Sequence, residues 1–207
     1  MTNFDERARG WDSDPKKVER ALAVADAIRK AFPLSEDMKA LEYGCGTGLL
    51  SFALQPYLGQ ITLADTSQGM LDVLREKIAR SGATTMHPIR LDLLSDPLPA
   101  ERFDLTYSLM VLHHIDDVKT VLSRFHNLLI PGGTLLVADL DKEDGSFHTD
   151  GSTDVHHGFD HDELRKMVEE AGFRNVTFST ACEIRKQIGN EEKTFPVFLM
   201  TAQNTQP

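Results

Sequence analysis

The chain has 207 residues, 41% of them hydrophobic and 26% charged, a balance that suits one ordinary soluble domain with a sizeable core. Its formal net charge of −10, with no basic stretch to offset it, argues against nucleic-acid backbones and anionic membranes as partners. Cys45 and Cys182 lie too far apart in sequence to suggest a disulfide framework or a metal motif, and no apolar run approaches a membrane span. The opening Met1-Thr2-Asn3-Phe4-Asp5-Glu6 has no signal-peptide character, so a cytoplasmic protein is expected.

In chain order, the first dozen residues are polar and carry the single tryptophan, Trp11. Asp14-Pro15 has the form of an N-cap followed by proline at the first helical position. Val18, Ala21, Leu22, Ala25 and Ile28 then recur at helical spacing until Pro33, so residues 1–35 are expected to form a helical lid or flank. A strand over Lys39–Tyr43 runs into Gly44-Cys45-Gly46-Thr47-Gly48 and a helix from about Leu49 to Gln55. The next strand, Gln60–Ala64, ends at Asp65. Ser67 then caps a helix carrying Met70, Leu71, Leu74 and Ile78, which Gly82 stops. Strands over Thr85–Leu91, ending at Asp92, and over Phe103–Leu109 follow. Asp116 or Asp117 starts a helix with Val118, Val121, Leu122, Phe125 and Leu128 on one face, and Pro131-Gly132-Gly133 turns the chain into a fifth strand, Thr134–Leu140.

The tail changes style. Asp141–Phe159 is polar, rich in Asp, Gly and His, and reads as a long loop near the functional face. Asp160 and Glu163 open a helix with Leu164, Met167 and Val168 that Gly172 closes. Two strands, Val176–Ile184 and Thr194–Ala202, are separated by the polar stretch Arg185–Lys193. The whole pattern predicts an α/β fold: a doubly wound, mostly parallel seven-stranded sheet with an antiparallel edge strand and helices on both faces.

Three glycines at alternate positions between a strand and a helix let a ligand approach bare backbone and the free N–H groups of a helix start. A dinucleotide fingerprint wants glycine or alanine at position 49, where this chain has Leu49, and no Gly-Lys-Ser/Thr follows as a phosphate loop requires. Asp65, at the end of its strand, suits the two hydroxyls of a ribose, and Asp92, at the same edge, suits an exocyclic amine.

These spaced motifs carry a resemblance. Leu41-Glu42-Tyr43-Gly44-Cys45-Gly46-Thr47-Gly48, Asp65 within Ala64–Met70, Asp92-Leu93, Phe103–Ile115 and Leu129–Leu135 together resemble the ordered motifs of class I S-adenosylmethionine-dependent methyltransferases. The resemblance implies S-adenosylmethionine as cofactor, with S-adenosylhomocysteine as product. It also implies one methyltransferase domain over residues 1–207, with a cofactor core at 36–140 and a substrate side at 141–207. Glu42 would serve the amino-acid end of the cofactor, while Gly44, Cys45 and Gly46 face it. Asp65 would hold the ribose, with Thr66 and Met70 beside it; Asp92 would take the adenine amine. The backbone near Leu93, Ser108 and Leu109 would complete the pocket, and Trp11 either packs or closes over the cofactor.

Methyl transfer from a sulfonium needs in-line positioning and a base only where the acceptor must lose a proton. Candidate bases are His113, His114, His156, His157 and Tyr107, with His113 and His114 placed beside the reaction by the end of the fourth strand. The cluster His148, Asp150, Asp154, His156, His157 and His161 lacks any defined ligand spacing, so no metal is expected. Ser108-Leu109-Met110-Val111 stands where base- and glutamine-methylating enzymes carry Asn/Asp-Pro-Pro-Tyr. The acceptor expected is therefore a small molecule, bound by a monomer or homodimer, with no nucleic acid and no membrane. A cofactor-binding protein without catalysis and a nicotinamide-dependent oxidoreductase are the other readings that these elements allow.

Overall fold

A computed structural model describes residues 4–148 and 156–205. The five strands β1 (Lys39–Tyr43), β2 (Gln60–Asp65), β3 (Met86–Arg90), β4 (Phe103–Leu109) and β5 (Leu129–Leu140) run parallel to one another. With β6 (Phe173–Ile188) and β7 (Glu191–Asn204) they make one seven-stranded sheet in the order β3-β2-β1-β4-β5-β7-β6. The last strand, β7, runs antiparallel to both β5 and β6, so the β6–β7 hairpin closes this side of the sheet.

Both faces are covered, and the side-chain period of two sorts the strand residues between them. Leu41 and Tyr43 of β1 and Leu135 and Val137 of β5 face a core closed by α5 (Val118–Leu128) and α6 (His161–Glu170). Ala40, Ile61, Leu63, Leu105 and Tyr107 face the opposite core, closed by α2 (Pro15–Ala31), α3 (Leu49–Leu54) and α4 (Gln68–Ser81). Helix starts follow the expected chemistry: Asp14, Ser67, Asp117 and Asp160 each accept a backbone N–H at the head of α2, α4, α5 and α6. Gly82 ends α4 in the left-handed conformation.

Three local expectations are corrected, and a fourth segment gains detail. In α2 the buried stripe is Ala21, Val24, Ala25 and Ile28, while Leu22, a third of a turn away, is 53% exposed. Pro131-Gly132-Gly133 is a bulge inside β5, between the pairs Phe103↔Leu129 and Leu105↔Thr134, and does not precede the strand. Most of Arg185–Lys193 is strand: β6 continues to Ile188 and β7 begins at Glu191, because Ile184 and Ile188 on alternate positions pack on the α2–α4 core. The polar N-terminal stretch forms a short helix, α1 (Phe4–Arg7), and a 3₁₀ segment, Ala8–Ser13. Among the described residues no helix is long and apolar enough to cross a membrane.

Parallel strands end together, so Tyr43, Asp65, Leu109 and Leu140 lie along one edge of the sheet. Strand order reverses between β1 and β4, and a crevice outside the strand ends at such a reversal is where open α/β sheets bind ligands.

Candidate functional site

At this reversal the glycine turn bends back onto β2. Gly44, Gly46 and Gly48 have φ of 70°, 52° and 79°, the left-handed region that side chains avoid. The N–H groups of Gly44 and Cys45 both donate to the Ala64 carbonyl, at 2.8 and 3.1 Å. Asp65 holds the turn from the other side: one carboxylate oxygen accepts Gly46 N–H at 2.7 Å and the other accepts Ser67 N–H at 2.8 Å. Burial pushes the Asp65 carboxyl above its ordinary value, against the pull of those backbone hydrogen bonds.

Outside this turn lies a cavity of about 380 Å³. Gly44, Gly46, Asp65, Thr66, Met70 and Asp92 line it together with Phe4, Met110, Val111 and His114. Its titratable lining includes three carboxylates, Asp65, Asp92 and Asp116, and no lysine or arginine. Asp92 also ties its own loop, accepting Leu94 N–H at 2.8 Å and the Ser95 hydroxyl at 2.9 Å. Leu93 is fully buried, and its N–H donates to the Tyr43 hydroxyl at 3.2 Å. Ser108 is buried with an Oγ that has no hydrogen-bond partner among the described residues.

Glu42 lies behind the turn, 2% exposed, hydrogen-bonded to Ser51 Oγ, which in turn meets the Tyr107 hydroxyl at 2.6 Å. Burial first, and the charge of Asp65 with it, push its carboxyl from an ordinary 4.5 up to about 8. Between those values the folded chain holds a proton that the unfolded chain releases. Glu42 therefore contributes stability at acid pH that falls by roughly 1.4 kcal/mol per pH unit as pH rises through this window. Glu42→Gln is expected to flatten the melting temperature across pH 5–8; an unchanged slope in thermal melts would refute the protonated carboxyl. The same burial excludes Tyr107 as a base: it is fully buried, and desolvation together with the Glu42 charge raises its phenol well above 10.

The N-terminal segment is tied to these motifs. Asp5 accepts the Ser67 hydroxyl at 2.5 Å and Gly69 N–H at 2.8 Å, capping α4 together with Ser67. Asp12 accepts the Thr47 hydroxyl at 2.5 Å and the Lys77 ammonium at 2.6 Å. Phe4 sets its ring edge against His114, with centroids 5.5 Å apart. Trp11 does not line the 380 Å³ cavity. It lines a small recess of about 60 Å³ with Glu42, Gly44, Cys45, Gly46 and Leu109, and its ring carries the Lys17 ammonium 3.8 Å from its centroid.

A second cavity of about 350 Å³ shares Phe4, Met110 and His114 with the first. It has the opposite charge: Arg7, Lys16, Lys17, Arg20, Arg185 and Lys186 line it with a single carboxylate, Asp14. His113, His114 and His148 form its floor with Phe147. His113 is 1% exposed, and its Nδ1 lies 2.6 Å from Asp139 Oδ1. Burial alone would raise the Asp139 carboxyl, but its interaction with His113 and the hydrogen bonds it accepts hold it below its ordinary value. Met110, which divides the two cavities, has φ of 57°, a rare conformation for a residue with a side chain.

The other histidines named from the sequence go elsewhere. His156 Nε2 sits 2.9 Å from the Ile115 carbonyl, and its backbone N–H donates to the His113 carbonyl, so it straps the loop after β4. His161 pairs with Asp141 at 2.7 Å. His157 packs against Gly145, and Asp150 and Asp154 lie outside the described residues. Phe4, Asp5, Asp12, Met110, Val111 and Arg20 were not singled out by sequence reasoning. Asp5 and Asp12 belong to a polar stretch without a readable pattern, and their partners lie 62 and 35 positions away.

Residues 41–137 match the model of the methyltransferase domain. An uncharacterized methyltransferase of Schizosaccharomyces pombe is 34% identical over 154 residues, covering 67% of this chain and 54% of that protein. Residues 41–137 are thus a methyltransferase-family domain. The chain spans about half the length of the curated relatives it matches. Among solved structures, the complex between the Haloferax volcanii Trm112 methyltransferase activator and a methyltransferase superposes with a TM-score of 0.79 at 18% identity, covering 100% of this chain and 99% of that one. The phosphoethanolamine N-methyltransferase 2 of Haemonchus contortus in complex with S-adenosyl-L-methionine superposes with a TM-score of 0.73 at 15% identity, covering 100% and 61%. At these identities the structural likeness bears on the fold, which here is that of methyltransferases.

Proposed function

We propose that this chain transfers a methyl group from S-adenosylmethionine to an anionic small molecule, the two bound in adjoining cavities that share Phe4, Met110 and His114. The observation that carries this reading is the charge of the two linings. A cavity with three carboxylates and no lysine or arginine suits a cationic nucleoside without phosphate and repels the pyrophosphate of a dinucleotide. The neighbouring cavity, with six lysines and arginines against one carboxylate, suits an anionic acceptor. Arg20 Nε is buried there without a hydrogen-bond partner among the described residues.

The cofactor supplies a methyl group already activated by the positive charge on sulfur. The chain's own part is to orient and to exclude water. Asp65 and the glycine turn fix the nucleoside end, and the recess with Glu42 and Trp11 receives the amino-acid end. His114, on the wall common to both cavities, reaches the acceptor, while His113 sits behind it as a positioning residue held by Asp139. Residues 1–35 serve as the lid, through Asp5, Asp12 and Phe4, and residues 141–207 supply the substrate side through His148, Arg185 and Lys186. Orientation of this kind is worth on the order of 7–11 kcal/mol in good intramolecular models.

Parallel calorimetric titration with S-adenosylmethionine, S-adenosylhomocysteine and NAD tests the reading. Micromolar binding of the first two and none of NAD is the expected result, and binding of NAD alone would overturn it. Incubation with methyl-labelled cofactor and a metabolite extract should then place label in the fraction retained by anion exchange.

A further inference from the structure

His113, His114 and His148 come from two separate parts of the chain, the turn after β4 and the long loop after β5, yet converge on one point. Their rings lie 4.0, 5.2 and 5.4 Å apart between centroids, and one nitrogen from each lies within 4.8 Å of the others. From this geometry we propose that the three histidines bind a divalent transition-metal ion in the floor of the basic cavity.

Three features fit an ion rather than a packing cluster. First, three neutral imidazoles are the donor set that zinc and related metals favour, and three protein ligands leave the open position characteristic of reactive sites. Zinc about 2.0–2.1 Å from each nitrogen sets those nitrogens about 3.3 Å apart, so the rings need close by at most about 1.5 Å. Second, His113 is already oriented as a metal ligand. Its Nδ1 meets the fully buried Asp139 at 2.6 Å and its backbone N–H donates to the same carboxylate at 3.3 Å, which leaves Nε2 to face the other two rings. A carboxylate behind a ligating histidine fixes its tautomer and strengthens it as a donor. Third, the remaining position opens into a cavity rich in lysine and arginine. A positive ion adds to that field, so the fourth ligand it selects is an anionic oxygen or sulfur. His148 is the residue that makes the site, because it brings the end of segment 141–148 onto the turn after β4.

The inference stands apart from the methyl-transfer reading, since metal binding is measured without cofactor or acceptor. The full chain is stripped with a chelator, dialysed against Zn²⁺, Mn²⁺ or Co²⁺ at micromolar concentration, and analysed for bound metal. One ion per chain is expected, with the intense visible bands of tetrahedral Co²⁺. His114→Ala and His148→Ala should each weaken binding more than tenfold, and His157→Ala, in the same loop but outside the cluster, should not change it. No stoichiometric metal, or unchanged affinity in both cluster variants, overturns the proposal. Where an alanine variant fails to fold, the wild-type titration decides: a Co²⁺ spectrum unchanged from the aqueous ion at one equivalent per chain overturns the proposal.

Discussion

Asp65→Ala is expected to weaken S-adenosylmethionine binding by more than tenfold in a chain that still folds. The carboxylate has two jobs that the structure separates. Each oxygen spends one lone pair on backbone, Gly46 N–H on one side and Ser67 N–H on the other, and keeps a second lone pair at the cavity edge. A pair of ribose hydroxyls bonded there would be charge-assisted, about 1.5–3 kcal/mol each. Alanine removes both jobs, so the glycine turn loosens as the ligand contact is lost. Asparagine retains one carbonyl oxygen for backbone and loses the charge. The order of affinity expected is therefore wild type, then Asp65→Asn, then Asp65→Ala, with melting temperature falling most for alanine. Calorimetry on the three proteins checks it, and equal affinity in folded Asp65→Ala would end the assigned role.

The parts legible in the sequence are those whose determinants are local. Lys39–Tyr43 and Phe103–Leu109 read as strands to the residue because their apolar side chains, Ala40, Leu41 and Tyr43 in one and the alternating Phe103, Leu105, Tyr107 and Leu109 in the other, form short local patterns. Ser67 and Gly82 bound α4 because cap and stop are carried by the capping residues themselves. What the sequence hides depends on distant partners. The N-terminal stretch looks like a polar leader, yet it is helical because Asp5 and Asp12 are satisfied by Ser67, Gly69, Thr47 and Lys77. Arg185–Lys193 reads as a loop because its polar residues mask the alternation of Ile184 and Ile188. In the sequence His148 lies nearest His156, His157 and His161, and the group has no ligand spacing. In the fold His148 joins His113 and His114, and no ligand spacing could announce that.

The two cavities give these hidden residues a common logic. A chain of net charge −10 gathers six of its 22 lysines and arginines around one cavity and leaves none in the lining of the next. Arg20 is half-buried and Arg7, Lys16 and Arg185 are exposed, so the field of the basic cavity falls off with added salt. Phe4, Met110 and His114 are common to both linings, and of the three only Phe4 comes from the N-terminal segment.

Gly44→Ala is expected to destabilise the fold by about 2–4 kcal/mol and to abolish cofactor binding, for two reasons that can be measured apart. A Cβ at this position would stand 2.3 Å from Val111 Cγ2 and 2.8 Å from Cγ1, on the side where Val111 lines the cavity. The backbone φ of 70° adds about 1–2 kcal/mol for any L side chain, whatever the space. Gly132→Ala isolates that second part, because its φ is 82° and nothing lies within 4 Å of its added carbon. Val111→Ala removes both clashing methyl groups. The double variant Gly44→Ala, Val111→Ala should therefore regain the steric part of the loss and keep a deficit close to that of Gly132→Ala, measured by denaturant unfolding. Contacting residues couple by about 0.5–3 kcal/mol, so strict additivity of the two single changes would show that the close approach of turn and wall does not shape this cavity.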